Sequence, residues 1–274
     1  MKKRILTAVV GIPLLLVLIL AAPLWVFGIA VGLLCAVACH ELMHMAMQEV
    51  PRRIKYVAMA CAFVLPVISS RESHLAWSVG VLLLLFFVLS VEQMVSYLGR
   101  RRITLEMVAI AMMAGGLLPL MLSTLLRIGQ VQEVGRVRML VPFVIAFASD
   151  SFAFFVGGAM GKHKLAEAIS PHKTVEGAIG GVVGGILMSV LYGVILMASG
   201  YGVSLVNLGF FGLIGSVVSQ LGDLTFSVFK RQYGVKDYGN ILPGHGGVLD
   251  RFDSLYYLTP LTELWMFILP VIWR

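Results

Sequence analysis

Charge is what this sequence has least of. Only 13% of its 274 residues are Asp, Glu, Lys or Arg, and 59% are apolar. A water-soluble domain carries about 25% charged residues, so a soluble globular fold is excluded: its surface could not be made from so few polar groups. Cysteine is scarce too. Cys35, Cys39 and Cys61 all fall in apolar stretches, which excludes a disulfide framework and a thiolate metal site. The chain has no low-complexity linker, no internal repeat and no stretch polar enough for a soluble domain, and it reads as a single membrane domain over 1–274. No small-residue cleavage site follows Met1-Lys2-Lys3-Arg4 and its apolar run, so that run reads as a first membrane helix rather than a cleaved signal. The net charge of +7 comes from short basic clusters set between apolar runs. That is the pattern of topology signals and anionic-headgroup contacts, and it excludes nucleic acid as a partner.

What is there is hydropathy, in abundance. A membrane-crossing helix needs about 20 mostly apolar residues. Hydropathy divides the chain into about nine candidate spans: 5–22, 24–47, 56–69, 75–97, 107–126, 139–160, 174–199, 205–229 and 255–273. The expected fold is all-α and polytopic, with an N-terminal helical half over 1–138 and a catalytic half over 139–274. With nine spans, sixteen of the 21 basic residues fall on the side of the N-terminus and five on the other. The positive-inside rule then puts the N-terminus in the cytoplasm and the C-terminus outside a bacterial-type inner membrane. The two most polar loops, 161–173 and 230–253, face the cytoplasm, where nucleotides and Mg²⁺ are found.

Carboxylates inside membrane spans are costly and usually functional. Asp150 follows an apolar run, and Asp223 lies on a stripe of Ser216, Ser219, Gln220, Asp223, Ser227 and Lys230 or Arg231. Steps of three and four put these on one helical face. The face lines a wet site, or else forms a hydrogen-bonding seam between helices. The next loop interleaves Lys230, Arg231, Lys236, Arg251 and His245 with Asp237, Asp250 and Asp253, around Gly244, Gly246 and Gly247. Asp250 and Asp253 share a face if this segment starts the last helix. The glycines allow close approach to a phosphate, and Mg²⁺ takes one or two carboxylates and completes its shell with water and phosphate oxygens. Upstream, Ser170-Pro171-His172-Lys173-Thr174 precedes an apolar helix. Pro171 suits a first helical turn, and Lys173 and the Thr174 hydroxyl make an anion site at the helix start. Gly177, Gly181 and Gly185 repeat every four residues as a close-packing face, which is compatible with a homodimer.

The run 227–253 reads Ser-x-Phe-Lys-Arg, four residues, Lys-Asp-x-Gly, Leu-Pro-x-His-Gly-Gly and Asp-Arg-Phe-Asp. It resembles the signature of the phosphatidate cytidylyltransferases, the CDP-diacylglycerol synthases. Ser149-Asp150 and the segment Ser170 to Gly177 are also similar to family elements, with His172 where a lysine is expected. The N-terminal half resembles the family only in hydropathy. The resemblance implies transfer of CMP from CTP to phosphatidate, giving CDP-diacylglycerol and pyrophosphate in phospholipid biosynthesis. It implies Mg²⁺ as cofactor, with a place open for a second cation. Asp223 and Asp250 are the expected principal metal ligands, with Asp253 and Asp150 in or beside the metal site. Lys173, Lys230, Arg231, Lys236 and Arg251 would clamp the triphosphate and phosphatidate, supported by Thr174, Ser227, Asp237, Gly246 and Gly247. His245 would touch a phosphate or assist proton transfer. Acyl chains would enter sideways from the membrane lipids.

Two other functions fit parts of the chain. His40-Glu41-Leu42-Met43-His44 has the H-E-x-x-H pattern of zinc proteases, but no third ligand is apparent. Polar membrane helices with glycines also occur in transporters. No repeat pairs the two halves here, and the charges gather in one region.

Overall fold

The computed structural model describes residues 2–47, 50–71, 73–99, 102–239, 241 and 246–274, with only the backbone described for residues 2–10. The chain is mostly helical and divides into two compact units: residues 1–127 with 237–251, and residues 128–236 with 252–274.

The first unit contains α1 (Lys2–Leu20), α2 (Leu24–Ala46), α3 (Arg52–Ile68) and α4 (His74–Tyr97), followed by a segmented helical run. Pro23 and Pro51 stand just before α2 and α3, where the missing N–H costs nothing. The segmented run is α5 (Leu105–Met112), a π-helical stretch Met113–Leu117, α6 (Leu118–Leu122) and α7 (Thr124–Gly129). Pro119 explains the break: its ring cannot coexist with a helical carbonyl four residues back, at Gly115. Gly115 then lies against α3, where a Cβ would come 2.9 Å from Ala58. Gly32 of α2 lies equally close, and a Cβ there would sit 2.6 Å from the Phe63 carbonyl oxygen. Small residues let these helices approach backbone to backbone.

The second unit is built on α8 (Gly135–Met160), α9 (Val175–Ala198), α10 (Leu205–Gln232) and the body of α11, whose full span is Leu249–Ile268. The glycine face of α9 is spent on packing within this unit. A Cβ at Gly177 would meet the Ala153 carbonyl oxygen of α8 at 2.9 Å, one at Gly181 the Ser149 carbonyl oxygen at 2.8 Å, and one at Gly185 the Ser216 hydroxyl of α10. Phe211 stacks near Trp265 and Phe226 near Tyr256, each pair with ring centroids 5.6 Å apart, tying α10 to α11.

Two short antiparallel pairs modify the all-α expectation. β1 (Lys164–Ala166) pairs with β2 (Ser170–Thr174), and β3 (Gly202–Val203) with β4 (Ile272–Trp273). The expected last span, 255–273, is therefore shortened: the helix stops at Ile268, ahead of Pro270, and the chain end turns back onto β3. Pro171 lies in β2 and not in a first helical turn. Proline tolerates an edge of a two-stranded ribbon because no ladder donor is needed on its open side. The start of α9 is set instead by Thr174, whose Oγ1 accepts the Gly177 N–H at 3.1 Å.

Six helical stretches among the described residues are long and apolar enough to cross a membrane: Leu24–Ala46, His74–Tyr97, Leu105–Gly129, Gly135–Met160, Val175–Ala198 and Leu205–Gln232. The other three expected spans coincide with α1, α3 and α11. α3 is 17 residues long, and α11 carries Asp250, Arg251, Asp253 and Glu263. The side-chain description of α1 covers its apolar stretch Gly11–Leu20.

Candidate active site

The polar stripe of α10 faces inward. Ser216, Ser219, Ser227 and Lys230 are all buried, and Gln220 donates to the Ser149 hydroxyl at 3.2 Å and to the Ala178 carbonyl at 3.1 Å. Both readings of the stripe apply to different lengths of the helix. Gln220 hydrogen-bonds it to α8 and α9, and its later turns open onto charge.

There Asp223 pairs with Lys173, which β2 delivers from the ribbon ahead of α9; both side chains are 28% exposed. Ser227 donates to Asp223 at a long 3.5 Å. Asp253 is buried at 8% exposure and takes the Ser254 N–H at 2.7 Å. It interacts electrostatically with Asp223, Asp150 and Lys230. Buried ions need compensating partners, and three carboxylates here meet two lysines. Asp150, Lys173, His172, Thr174, Gln220 and Asp223 line part of a cavity of about 490 Å³ in this unit. Its remaining wall is apolar or glycine, including Ala153, Phe154, Gly157, Gly158 and Leu165. One enclosure thus offers charge at one part and hydrocarbon at another, as a charged amphiphile requires.

The surrounding loop is held by groups the sequence reading gave other work or none. Arg231 donates to the carbonyls of Ile169 and Val235, both at 3.0 Å, so its guanidinium braces the β1–β2 connection and the end of α10. Glu176 was not singled out. It accepts the backbone N–H groups of Lys162 and His163 and the His163 ring at 2.6 Å. Its position two residues after the N-cap Thr174, in the first turn of α9, was the signal that could have found it. Lys236 is exposed at the end of this unit.

Asp250, Asp237, Arg251, Gly246 and Gly247 belong to the first unit. Because α11 begins at Leu249, Asp250 stands in its first turn. Its Oδ2 accepts the N–H groups of Tyr238 at 2.9 Å and Gly247 at 3.0 Å. Gly246 has φ 81°, and a Cβ there would lie 3.0 Å from the same oxygen and 3.4 Å from Asp237. Arg251 is exposed. His245 and Gly244 lie outside the described residues.

The H-E-x-x-H pentapeptide ends α2 in this unit, and its geometry is wrong for a protease. His40 and His44 are exposed and stack with ring centroids 5.8 Å apart. Glu41 is 3% exposed. Its oxygens accept the N–H groups of Val248 and Leu249, each at 2.9 Å. A carboxylate engaged in this way cannot also activate a metal-bound water beside the two histidines.

Among the described residues, no three His, Cys, Asp or Glu side chains converge as a metal cage. The acidic donors near Lys173 and Lys230 are the carboxylates of Asp150, Asp223 and Asp253, with His172, Thr174 and Gln220 also at the cavity wall. The carboxylates fit a hard cation that takes one or two of them and fills its shell with water and phosphate, as Mg²⁺ does.

Comparison with known proteins covers the chain almost from end to end. The model of the cytidylyltransferase family matches residues 2–269. The phosphatidate cytidylyltransferase of Bacillus subtilis (strain 168) is 31% identical over 260 residues, 95% of each chain. That of Staphylococcus aureus (strain COL) is 34% identical over 269 residues, 96% of this chain and 98% of its own. The likeness seen in the run 227–253 therefore extends through the N-terminal half, where hydropathy alone had suggested it. With its apolar helices and its full-length match, this multi-pass membrane protein belongs to the cytidylyltransferase family.

Proposed function

We propose that this chain transfers CMP from CTP to phosphatidate, forming CDP-diacylglycerol and releasing pyrophosphate, at the cytoplasmic face of a bacterial inner membrane. A phosphate oxygen of phosphatidate attacks the α-phosphorus of CTP. One P–O bond forms, the α–β anhydride bond breaks, and pyrophosphate carries away the electron pair. The attacking phosphate is already ionised near neutral pH, so no strong base is needed.

The observation that carries this reading is the Asp150, Asp223, Asp253, Lys173 and Lys230 cluster on membrane helices of a chain matched end to end by relatives bearing that name. Both substrates are polyanions, and bringing them together requires charge neutralisation that is already in place. Lys173 and Lys230 hold phosphate oxygens on the cavity side, and Thr174 and Ser227 orient the carboxylates and the ribbon. Asp223 and Asp250 would hold Mg²⁺, with help from Asp253 and Asp150, and the ion would supply neutralisation of phosphate charge. Lys236, Arg251 and His245 complete the phosphate contacts from the loop 230–253, with Asp237, Gly246 and Gly247 shaping it. The apolar wall of the cavity takes the first carbons of the acyl chains, which enter from the bilayer.

All nine helical stretches cross the membrane in this reading, with the N-terminus inside and the C-terminus outside; the basic-residue asymmetry supports it. Residues 1–138 serve as the supporting half and 139–274 as the catalytic half of one membrane domain.

The test is cytidylyl transfer by detergent-purified protein given labelled CTP, phosphatidate and Mg²⁺. Organic-extractable label that disappears in Asp223→Asn and in excess EDTA is the expected result. Folded protein that forms no lipid-linked label with varied lipids and cations would overturn the proposal.

A further inference from the structure

Glu41 is buried in α2, far from the signature run in sequence, and belongs to a pentapeptide that the function leaves unused. Its carboxylate spans the start of α11: one oxygen takes the Val248 N–H and the other the Leu249 N–H. These are orphan donors of a helix N-terminus, where a negative charge is favoured. Glycine leaves room for it on two sides. A Cβ at Gly247 would come 2.6 Å from Glu41 Oε2, and one at Gly239 would come 2.7 Å from Oε1. The neighbouring amides of Gly247 and Tyr238 are taken by Asp250. Two carboxylates therefore occupy the consecutive amides of Gly247, Val248 and Leu249, which in a glycine-rich loop at a helix start would otherwise receive a phosphate.

We propose that Glu41 is the positioning residue of the segment 246–251, fixing the backbone that carries Asp250, so that Gly239 and Gly247 accommodate a protein carboxylate rather than a substrate phosphate. The catalytic part of this inference rests on the cytidylyltransferase reading; the structural part does not. Glu41 touches no reacting atom and acts through Asp250.

The experiment uses the full chain in detergent or nanodiscs with Glu41→Ala, Glu41→Gln, Gly239→Ala and the Glu41→Ala/Gly239→Ala double variant. Hydrogen bonds to charged groups are strong enough that amide exchange over 246–251 should rise at least about tenfold in Glu41→Ala, while α8–α10 keep their protection. Glu41→Gln should fall between, because an amide oxygen accepts one of the two N–H groups and its NH₂ opposes the other. Activity should show a lower kcat and a higher Mg²⁺ requirement with an unchanged KM for phosphatidate, a split that general loosening would not give. Gly239→Ala should be harmful alone and add nothing once Glu41 is alanine, since the space has been vacated. Unchanged exchange in Glu41→Ala, additive effects of the pair, or a loosened loop with unchanged kcat and Mg²⁺ requirement would each overturn the proposal. Should Glu41→Ala fail to fold, Glu41→Gln and Gly239→Ala alone decide it by exchange. Wild-type protein without cytidylyl transfer would instead sink the functional reading, leaving exchange and suppression to judge Glu41.

Discussion

Asp223 shows how a single residue gathers consequences. It lies in the apolar body of α10, pairs with Lys173 and lines the cavity. Asp223→Asn keeps the shape and removes the charge. Cytidylyl transfer should fall by about 10²-fold or more, the scale of losing one preorganised electrostatic contact. The partly exposed pair contributes only about 0–1 kcal/mol to folding, so the thermal midpoint should move little. Initial rates and a thermal unfolding curve on the same preparation separate the two effects, and a collapse of folding equal to the loss of rate would assign Asp223 to structure. Thr174→Ala has the opposite signature: removing the N-cap of α9 should cost about 1 kcal/mol of stability and lower the midpoint before it lowers the rate. At this scale the sequence was informative about which residues carry charge in an apolar setting. It was silent on Glu176 and offered Glu41 only as part of the H-E-x-x-H pattern. A carboxylate that accepts backbone N–H groups leaves no motif for those contacts in the sequence, and the contacts of Glu41 lie some two hundred residues away.

Among the elements, α9 and its neighbours divide the glycines into two kinds. Gly181 faces the Ser149 carbonyl, whereas Gly80 in the second turn of α4 has nothing within 4 Å of where a Cβ would stand. Gly181→Val should therefore cost about 1–3 kcal/mol through overpacking against backbone that cannot yield. Gly80→Ala should be neutral or stabilise by up to about 1 kcal/mol through helix propensity. Denaturation midpoints of the two variants check the contrast, and equal behaviour would mean that α9 does not approach α8 as closely as described. The four-residue glycine spacing was enough to read a packing face. Whether the partner was α8, α10 or a second copy of the chain depended on which helices the tertiary structure brought alongside. Pro171 illustrates the converse. Its fixed φ suits both a first helical turn and an edge strand, and the pairing of β1 with β2 decided between them.

For the whole molecule, the asymmetry of basic residues makes a checkable statement about sidedness. Reporters fused after residue 101 and at the C-terminus should report the cytoplasm and the outside respectively; the same side for both would remove the odd span count. The chemistry of the molecule as a whole gives a second check. Chelation by excess EDTA should abolish transfer, Mg²⁺ should restore it, and full activity in EDTA would remove the metal. By itself the sequence determined the solvent of this protein, because 59% apolar and 13% charged residues admit only a bilayer. It also determined the region of the chemistry, because the charged motif over 227–253 is contiguous and so is visible without the fold. What only the tertiary structure decided is long-range pairing: Lys173 with Asp223, Asp253 with its charged neighbours, and Glu41 with the start of α11. Such contacts arise because burying an ion demands a partner, and a chain folded into stacked helices can supply that partner from any point along its length.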